Sequence, residues 1–121
     1  MAFREDRELP EAVVQWGWKF HHLGIPTKDP RPDETYIESL GMYVSGFQSS
    51  PFGVEWIRFE PGSPVHELAQ SQPHLAFVVE DMSMALDDKE ILSPPSSPSE
   101  GLTVAMIVHD GAPIELMEFS A

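Results

Sequence analysis

The sequence contains no cysteine, few basic residues and no long hydrophobic run. Without cysteine, disulfides and thiolate metal sites are excluded, so any metal must be held by nitrogen and oxygen ligands. Seven lysines and arginines stand against 20 aspartates and glutamates, which gives a net charge of -13. This charge repels nucleic-acid phosphates and anionic lipid surfaces. We therefore expect neither a nucleic acid nor a membrane as a partner.

The hydrophobic segments are shorter than the roughly 20 apolar residues that a membrane span needs, and the first residues are too charged for a secretion signal. We therefore expect a cytoplasmic protein. The 121 residues fit one compact domain, and 41% of them are apolar, which allows a packed core in spite of 12 prolines. Residues 1–16 are interpreted as an N-terminal tail or short outer helix, and residues 17–121 as the single domain.

Within this domain the same order of elements occurs twice, in modules at about 17–61 and 72–121. In the first module the pattern predicts a strand over 19–26, a helix over 34–40 capped by Asp33, and strands over 42–48 and 53–59. In the second it predicts a strand over 73–80, a helix over 81–88, and strands over 102–109 and 113–119. The serine- and proline-rich stretch 92–101 between them is interpreted as a loop, either a flap over a cleft or a plain connector.

The two modules also share residue identities. His22 and His74 lie at matching places in the opening strands, and Glu55 and Glu115 lie at matching places in the closing strands. A repeated unit that pairs with its copy would bring these four side chains around one pseudo-twofold centre. Two imidazoles and two carboxylates suit a divalent ion such as Zn, Ni, Co, Mn or Fe. Both glutamates interrupt apolar strands, so a cation, an arginine or an exposed position must compensate their charge.

Strand alternation places Gly24 on the face of His22 and Ala76 on the face of His74. Small residues beside the histidines suit a concave face that leaves room for a ligand. The same alternation places His21 on the opposite face, where we expect it to be solvated.

Several other residues that could belong to a site are better explained by structural or surface roles. His66 and His109 are expected in or beside turns, and Arg58 is expected to pair with an acidic neighbour rather than with a substrate carboxylate. Four large side chains could line a cavity or pack in the core, and the sequence favours the core for each: Trp56, Phe59, Met106 and Met117.

Segments 21–26, 54–56, 73–81 and 111–116 resemble the vicinal oxygen chelate superfamily, which includes glyoxalase I, methylmalonyl-CoA epimerase, extradiol dioxygenases and the bleomycin and fosfomycin resistance proteins. The resemblance covers residues 18–119. It implies an α+β fold in which paired βαβββ modules form a curved mixed sheet around a central cleft. It also implies His22, Glu55, His74 and Glu115 as the metal ligands. Only 32 residues separate His22 from Glu55, against 40 between His74 and Glu115, so the first module is expected to lack or shorten one strand.

For function, the resemblance implies a divalent-metal-dependent lyase or isomerase of glyoxalase type. It would act on a small oxygen-rich substrate through an enediolate-type intermediate, with Glu55 or Glu115 moving the proton. Two alternatives share the scaffold. One is a drug-resistance type of protein that binds a small molecule without converting it, and the other is an extradiol-type dioxygenase with His22, His74 and Glu115 on iron. Small members of this superfamily often pair, so a homodimer is expected, and no basic residues match those that hold glutathione in glyoxalase I.

Overall fold

A computed structural model describes residues 7–120, and these form a curled eight-stranded sheet with few helices. The strands are β1 (Lys19–Pro26), β2 (Thr35–Ile37), β3 (Met42–Ser45), β4 (Val54–Phe59), β5 (His74–Val78), β6 (Ile91–Ser99), β7 (Leu102–His109) and β8 (Ala112–Phe119). The helices are α1 (Glu11–Val14), α2 (Glu67–Ser71) and α3 (Met82–Leu86), and a 3-10 turn covers Glu38–Leu40. Across residues 7–120 no helix is long and apolar enough to cross a membrane.

The sheet has the strand order β2-β3-β4-β1-β5-β8-β7-β6, so two four-stranded halves meet where β1 pairs with β5. In each half the first strand pairs in parallel with the last, β1 with β4 and β5 with β8. The register is the same in both halves, because Gly24 lies opposite Glu55 and Ala76 lies opposite Glu115. The halves are therefore related by a pseudo-twofold axis. The predicted α+β class with a curved mixed sheet is confirmed.

The first module has four strands, one of them short, but within residues 7–120 it lacks the α-helix predicted after its first strand. Residues 35–37 form β2, antiparallel to β3, and within the described chain no α-helix lies between β1 and β2. The helix predicted over 34–40 is therefore wrong for 35–37, and only 38–40 form a 3-10 turn. The expectation of a missing or shortened strand is met by shortening, because β2 has three residues and its counterpart β6 has nine. Thr35, Tyr36 and Ile37 are β-branched or aromatic and favour a strand, while Asp33 has a φ of 61°, which is not the extended conformation of a helix N-cap.

The prediction of a loop over 92–101 is also wrong, because most of this stretch forms β6. This strand lies at the edge of the sheet and pairs only with β7, through a register that shifts three times. Its prolines at 94, 95 and 98 cannot donate hydrogen bonds, which an edge strand tolerates. The second module thus has the full order β5, α3, β6, β7, β8.

The outer face of the second half carries the hydrophobic core, which α3 covers. Its buried members are Trp18, Val79, Met82, Ala85, Ala105, Ile107 and Leu116. Helix α1, within the predicted tail, adds Ala12 to the edge of this cluster, and the rest of the tail over residues 1–6 lies outside the described residues. With the core on the outer face, the inner face of the sheet is left to form a cavity.

Candidate metal centre

The junction of the two halves brings the predicted metal ligands together. Nε2 of His74 lies 3.0 Å from Oε1 of Glu115, and Nε2 of His22 lies 3.6 Å from the same oxygen. One ligand atom from each of these three residues lies within 4.8 Å of the other two, so the group could hold a metal ion. The site is formed within one chain, and it draws His22 from β1, His74 from β5 and Glu115 from β8.

Glu55 lies beside this group and not within it. Its Oε1 is 3.5 Å from Nε2 of His22. Its strand position matches that of Glu115 in the other half, since each glutamate pairs with the residue two places after a site histidine. The structure therefore brings all four predicted residues to one place and divides them into three that are tightly grouped and one neighbour.

Small residues make room for the histidine rings, as the alternation predicts. Gly24 lies opposite His74 in the β1–β5 pair, and Ala76 lies opposite His22. A Cβ atom on Gly24 would lie 2.6 Å from Nε2 and 2.8 Å from Nδ1 of His74, closer than real Cβ contacts. The ring of His74 can take its position only because residue 24 has no side chain.

The donor atoms fit a divalent cation. His22 and His74 are only 3% and 5% exposed, and Nε2 of His22 is buried without a hydrogen-bond partner among the described residues. This nitrogen faces carboxylate oxygens of Glu55 and Glu115. A nitrogen lone pair facing carboxylates is unfavourable unless a proton or a cation lies between them. Two imidazoles with carboxylates are a ligand set that suits borderline divalent ions.

The two carboxylates have different electrostatic environments. Burial alone would raise the pKa of Glu115, but its contacts with His22 and His74 outweigh burial and lower its pKa to about 2. Burial raises the pKa of Glu55, and the attraction of His22 only partly opposes this rise. Glu115 is therefore the weaker base and Glu55 the stronger one.

Strand β1 carries a bulge at His21 that simple alternation does not predict. Phe20 pairs with Phe77 and His22 pairs with Ala76, so His21 is one extra residue between two adjacent partners. A bulge changes the direction of a side chain, and the expectation that His21 faces away from His22 is wrong. The two Nδ1 atoms lie 2.8 Å apart, and His21 lines the same cavity as His22.

The ring of His21 is also held by an aromatic contact. It stacks on Phe47 with centroids 4.8 Å apart and planes at 7°. Sequence reasoning missed this residue because a bulge depends on the partner strand, and the only signal in the sequence was two adjacent histidines. His66 and His109 lie away from the site: His66 caps α2 by accepting from the backbone N–H of Leu68, and His109 is exposed.

The site lies on the wall of a cavity of about 510 Å³, a volume typical of small-molecule sites. Of the side chains considered for this role, Phe59, Met106 and Met117 line the cavity. Trp56 does not; it lies beneath Arg31, whose guanidinium carbon is 4.8 Å from the ring centroid.

Arg58 pairs with an acidic neighbour, as expected. Its guanidinium donates two hydrogen bonds to the carboxylate of Glu34, at 2.9 and 2.8 Å. The pair is on the side of β4 that faces away from the cavity, so Arg58 takes no part in the site.

The curled sheet of two related halves is also found in solved structures, and the resemblance predicted from the sequence is confirmed at the level of the fold. One similar solved structure is the methylmalonyl-CoA epimerase from Mycobacterium tuberculosis, with 16% sequence identity, 95% of each chain covered and a TM-score of 0.60. Another is the hypothetical protein BH1468 from Bacillus halodurans C-125, with 16% identity, 86% of this chain and 96% of that chain covered, and a TM-score of 0.63. No family model and no curated protein matches the sequence. These likenesses show the fold, and function is argued from the site.

Proposed function

We propose that the protein is a divalent-metal-dependent lyase or isomerase of glyoxalase type that acts on a small oxygen-rich substrate. The observation that carries this proposal is the grouping of His22, His74 and Glu115 on the cavity wall, with Glu55 beside them. The fold shared with an epimerase supports an isomerase type of reaction. The ligand types suit Zn, Ni, Co, Mn or Fe and do not select among them.

In this proposal His22, His74 and Glu115 would hold the ion, which when bound would polarise a substrate carbonyl as a Lewis acid. Glu55 is assigned the proton transfer at the adjacent carbon, which leads to an enediolate-type intermediate. Its carboxylate lines the cavity outside the three-residue group, and its raised pKa makes it the better base. The sequence left the same role open for Glu115, but two histidine contacts and a pKa of about 2 favour a ligand role there.

Two other functions have some support. A small-molecule binding protein without catalysis would use the same apolar cavity. An extradiol-type dioxygenase would use two histidines and one carboxylate on iron, and the three-residue group has that composition. Loss of metal-dependent turnover but not of ligand binding in Glu55→Gln would support the lyase or isomerase. Substrate-dependent oxygen consumption by protein loaded with Fe(II), and not by protein loaded with the other ions, would support the dioxygenase.

Elemental analysis of protein purified without an affinity tag or chelator tests the proposal first, together with re-addition of Ni, Zn, Mn and Fe(II). We expect about one equivalent per chain in the wild type, loss of most of it in Glu115→Gln, and smaller loss in Glu55→Gln. Glu34→Gln is the matched control, because that carboxylate pairs with Arg58 away from the cavity. A wild-type protein that neither retains nor takes up any of these ions would overturn the proposal.

Catalysis is tested by solvent exchange. Wild-type protein loaded with its metal should incorporate deuterium from D₂O next to the carbonyl of an α-hydroxyketone, and Glu55→Gln should not, while still retaining metal. The homodimer and the cytoplasmic location stay predictions, to be measured by sedimentation and by fractionation of the native cells.

A further inference from the structure

We infer that the site takes an uncharged, mainly apolar molecule with one pair of neighbouring oxygen atoms, and that it rejects conjugates bearing phosphate or carboxylate groups. This inference rests on the proposed function and narrows its substrate class, because it confines the oxygen atoms of the substrate to the end that meets the metal. It follows from the chemistry of the cavity wall and from the positions of the cationic side chains.

Apart from the site residues and His21, the cavity wall is almost entirely apolar. Both halves of the sheet contribute, with Val44, Ile57 and Phe59 from the first and Val104, Met106 and Met117 from the second. The side chains of Ser93 and Ser96 are the other polar groups that line it. A ligand that fills this space must therefore be apolar over most of its surface, because a polar group placed against such a wall loses its hydration without gaining a partner.

No lysine or arginine among residues 7–120 lines the cavity. Arg58 is held by Glu34 and lies over the ring of Tyr43, at 4.2 Å from its centroid. Arg31 lies over Trp56 and Lys89 lies over a second tryptophan, so these cations pack on aromatic rings outside the cavity. Phosphate and carboxylate recognition relies on such side chains, above all on the bidentate guanidinium group.

The charges of the site also disfavour an anionic ligand. Glu55 and Glu115 together offset the two positive charges of a divalent ion, so a loaded site has no excess positive charge for a second anionic group. The net charge of -13 repels anions from the whole molecule. We therefore expect no substrate like the one named for the methylmalonyl-CoA epimerase, because that compound carries phosphates and a carboxylate.

Hydroxamic acids provide a direct test, since they are uncharged in neutral solution and chelate a metal through two neighbouring oxygens with release of one proton to the solvent. This head group is the same in all the probes, so differences among them report on the chain. Aceto-, butyro- and hexanohydroxamic acid would be titrated by calorimetry into the full-length protein loaded with the ion it retains. Affinity should rise about threefold to fourfold with each added methylene group as the chain enters the apolar cavity. Adipic monohydroxamic acid, which has the same six-carbon chain but ends in a carboxylate, should bind at least tenfold more weakly than hexanohydroxamic acid.

Two arginine variants test whether the preference for the uncharged probe arises inside the cavity. Val44→Arg places a cation in the cavity and should narrow or reverse the preference for hexanohydroxamic acid over its carboxylate analogue. Leu75→Arg adds the same charge at an exposed position outside the cavity lining and should leave the preference unchanged. The wild-type comparison stands even where a variant fails to fold.

The outcomes separate the two proposals. Metal uptake with equal binding of the two six-carbon probes, or with an affinity that does not change with chain length, overturns the inference and leaves the proposed metal site intact. A protein that takes up no metal overturns the proposed function and this inference with it.

Discussion

Gly24 is the residue on which the geometry of the site most directly depends, because its missing side chain is what admits the ring of His74. Gly24→Ala should displace that ring and weaken metal binding at least tenfold. In metal-free protein it should also lower the free energy of unfolding by about 1 to 3 kcal/mol through overpacking. Chelator competition and urea unfolding measure the two effects.

The control for this prediction is a double-mutant cycle with His74→Ala. Once the ring is gone, the added methyl group has space, so Gly24→Ala should destabilise the His74→Ala protein much less than the wild type. Equal destabilisation in both backgrounds would mean that strand geometry at residue 24, and not the histidine ring, requires glycine.

His21 is predicted to position His22. A proton on Nδ1 of His22, donated to Nδ1 of His21, leaves Nε2 with its lone pair directed at the site. Partners of this kind typically change metal affinity by about 10- to 100-fold. His21→Phe should cause a loss of that size while retaining the stacking on Phe47, and His21→Asn, which keeps an acceptor, should recover most of the affinity.

Two measurements are needed for His21, because a loss of affinity alone could reflect packing. Chelator competition gives the affinity, and the ¹⁵N shifts of His22 in metal-free protein report which ring nitrogen carries the proton. Unchanged shifts and unchanged affinity in His21→Phe would contradict the positioning role.

At the scale of elements, strands in which apolar and polar residues alternate strongly could be predicted from the sequence. Strands that depend on a partner strand or on an edge position could not. Strands β1 and β7 have the predicted bounds, and β4 and β8 each differ from theirs by one residue. In contrast, β2 is three residues long and depends on its pairing with β3, and β6 contains three prolines that only an edge position tolerates. Local sequence indicates neither the partner strand nor the edge.

In the first module an ion pair between Glu34 and Arg58 links the approach to β2 with β4. The hydrogen bonds from Arg58 lower the pKa of Glu34 below its ordinary value. A carboxyl group whose pKa is lower in the folded state stabilises the protein above its unfolded-state pKa, and this contribution is lost as the pH falls through its folded-state pKa. Glu34→Gln should therefore reduce the free energy of unfolding at pH 7, and the difference from wild type should close on acidification.

Urea unfolding of wild type and Glu34→Gln from neutral to acidic pH checks this, with Arg58→Met as the background for a control cycle. In that background Glu34→Gln should have little effect at any pH. A difference that persisted unchanged into acid would show that the ion pair is not its cause.

At the scale of the whole molecule, the repeat explains why the four site residues could be named from sequence while the finer geometry could not. A histidine or a glutamate alone carries little information, but each was supported by its copy, and the pseudo-twofold pairing of β1 with β5 brings the copies together. The repeat could not indicate where the halves differ. Glu115 contacts both histidines, whereas the closest approach of Glu55 is to His22, and this difference gives the two carboxylates different roles in the proposal.

The same architecture predicts how metal binding stabilises the fold. Because His22 belongs to the first module and His74 and Glu115 to the second, an ion held by all three ties the two halves at their junction and binds the folded chain in preference to the unfolded one. At a free metal concentration 100 times the dissociation constant, the free energy of unfolding should rise by about 2.7 kcal/mol. His22→Ala and His74→Ala should each abolish this gain and leave the metal-free protein folded, as monitored by thermal and urea unfolding with and without metal. If His22→Ala kept a gain of wild-type size, the ion would be held by the second module alone, and the junction of the halves would not be the metal site.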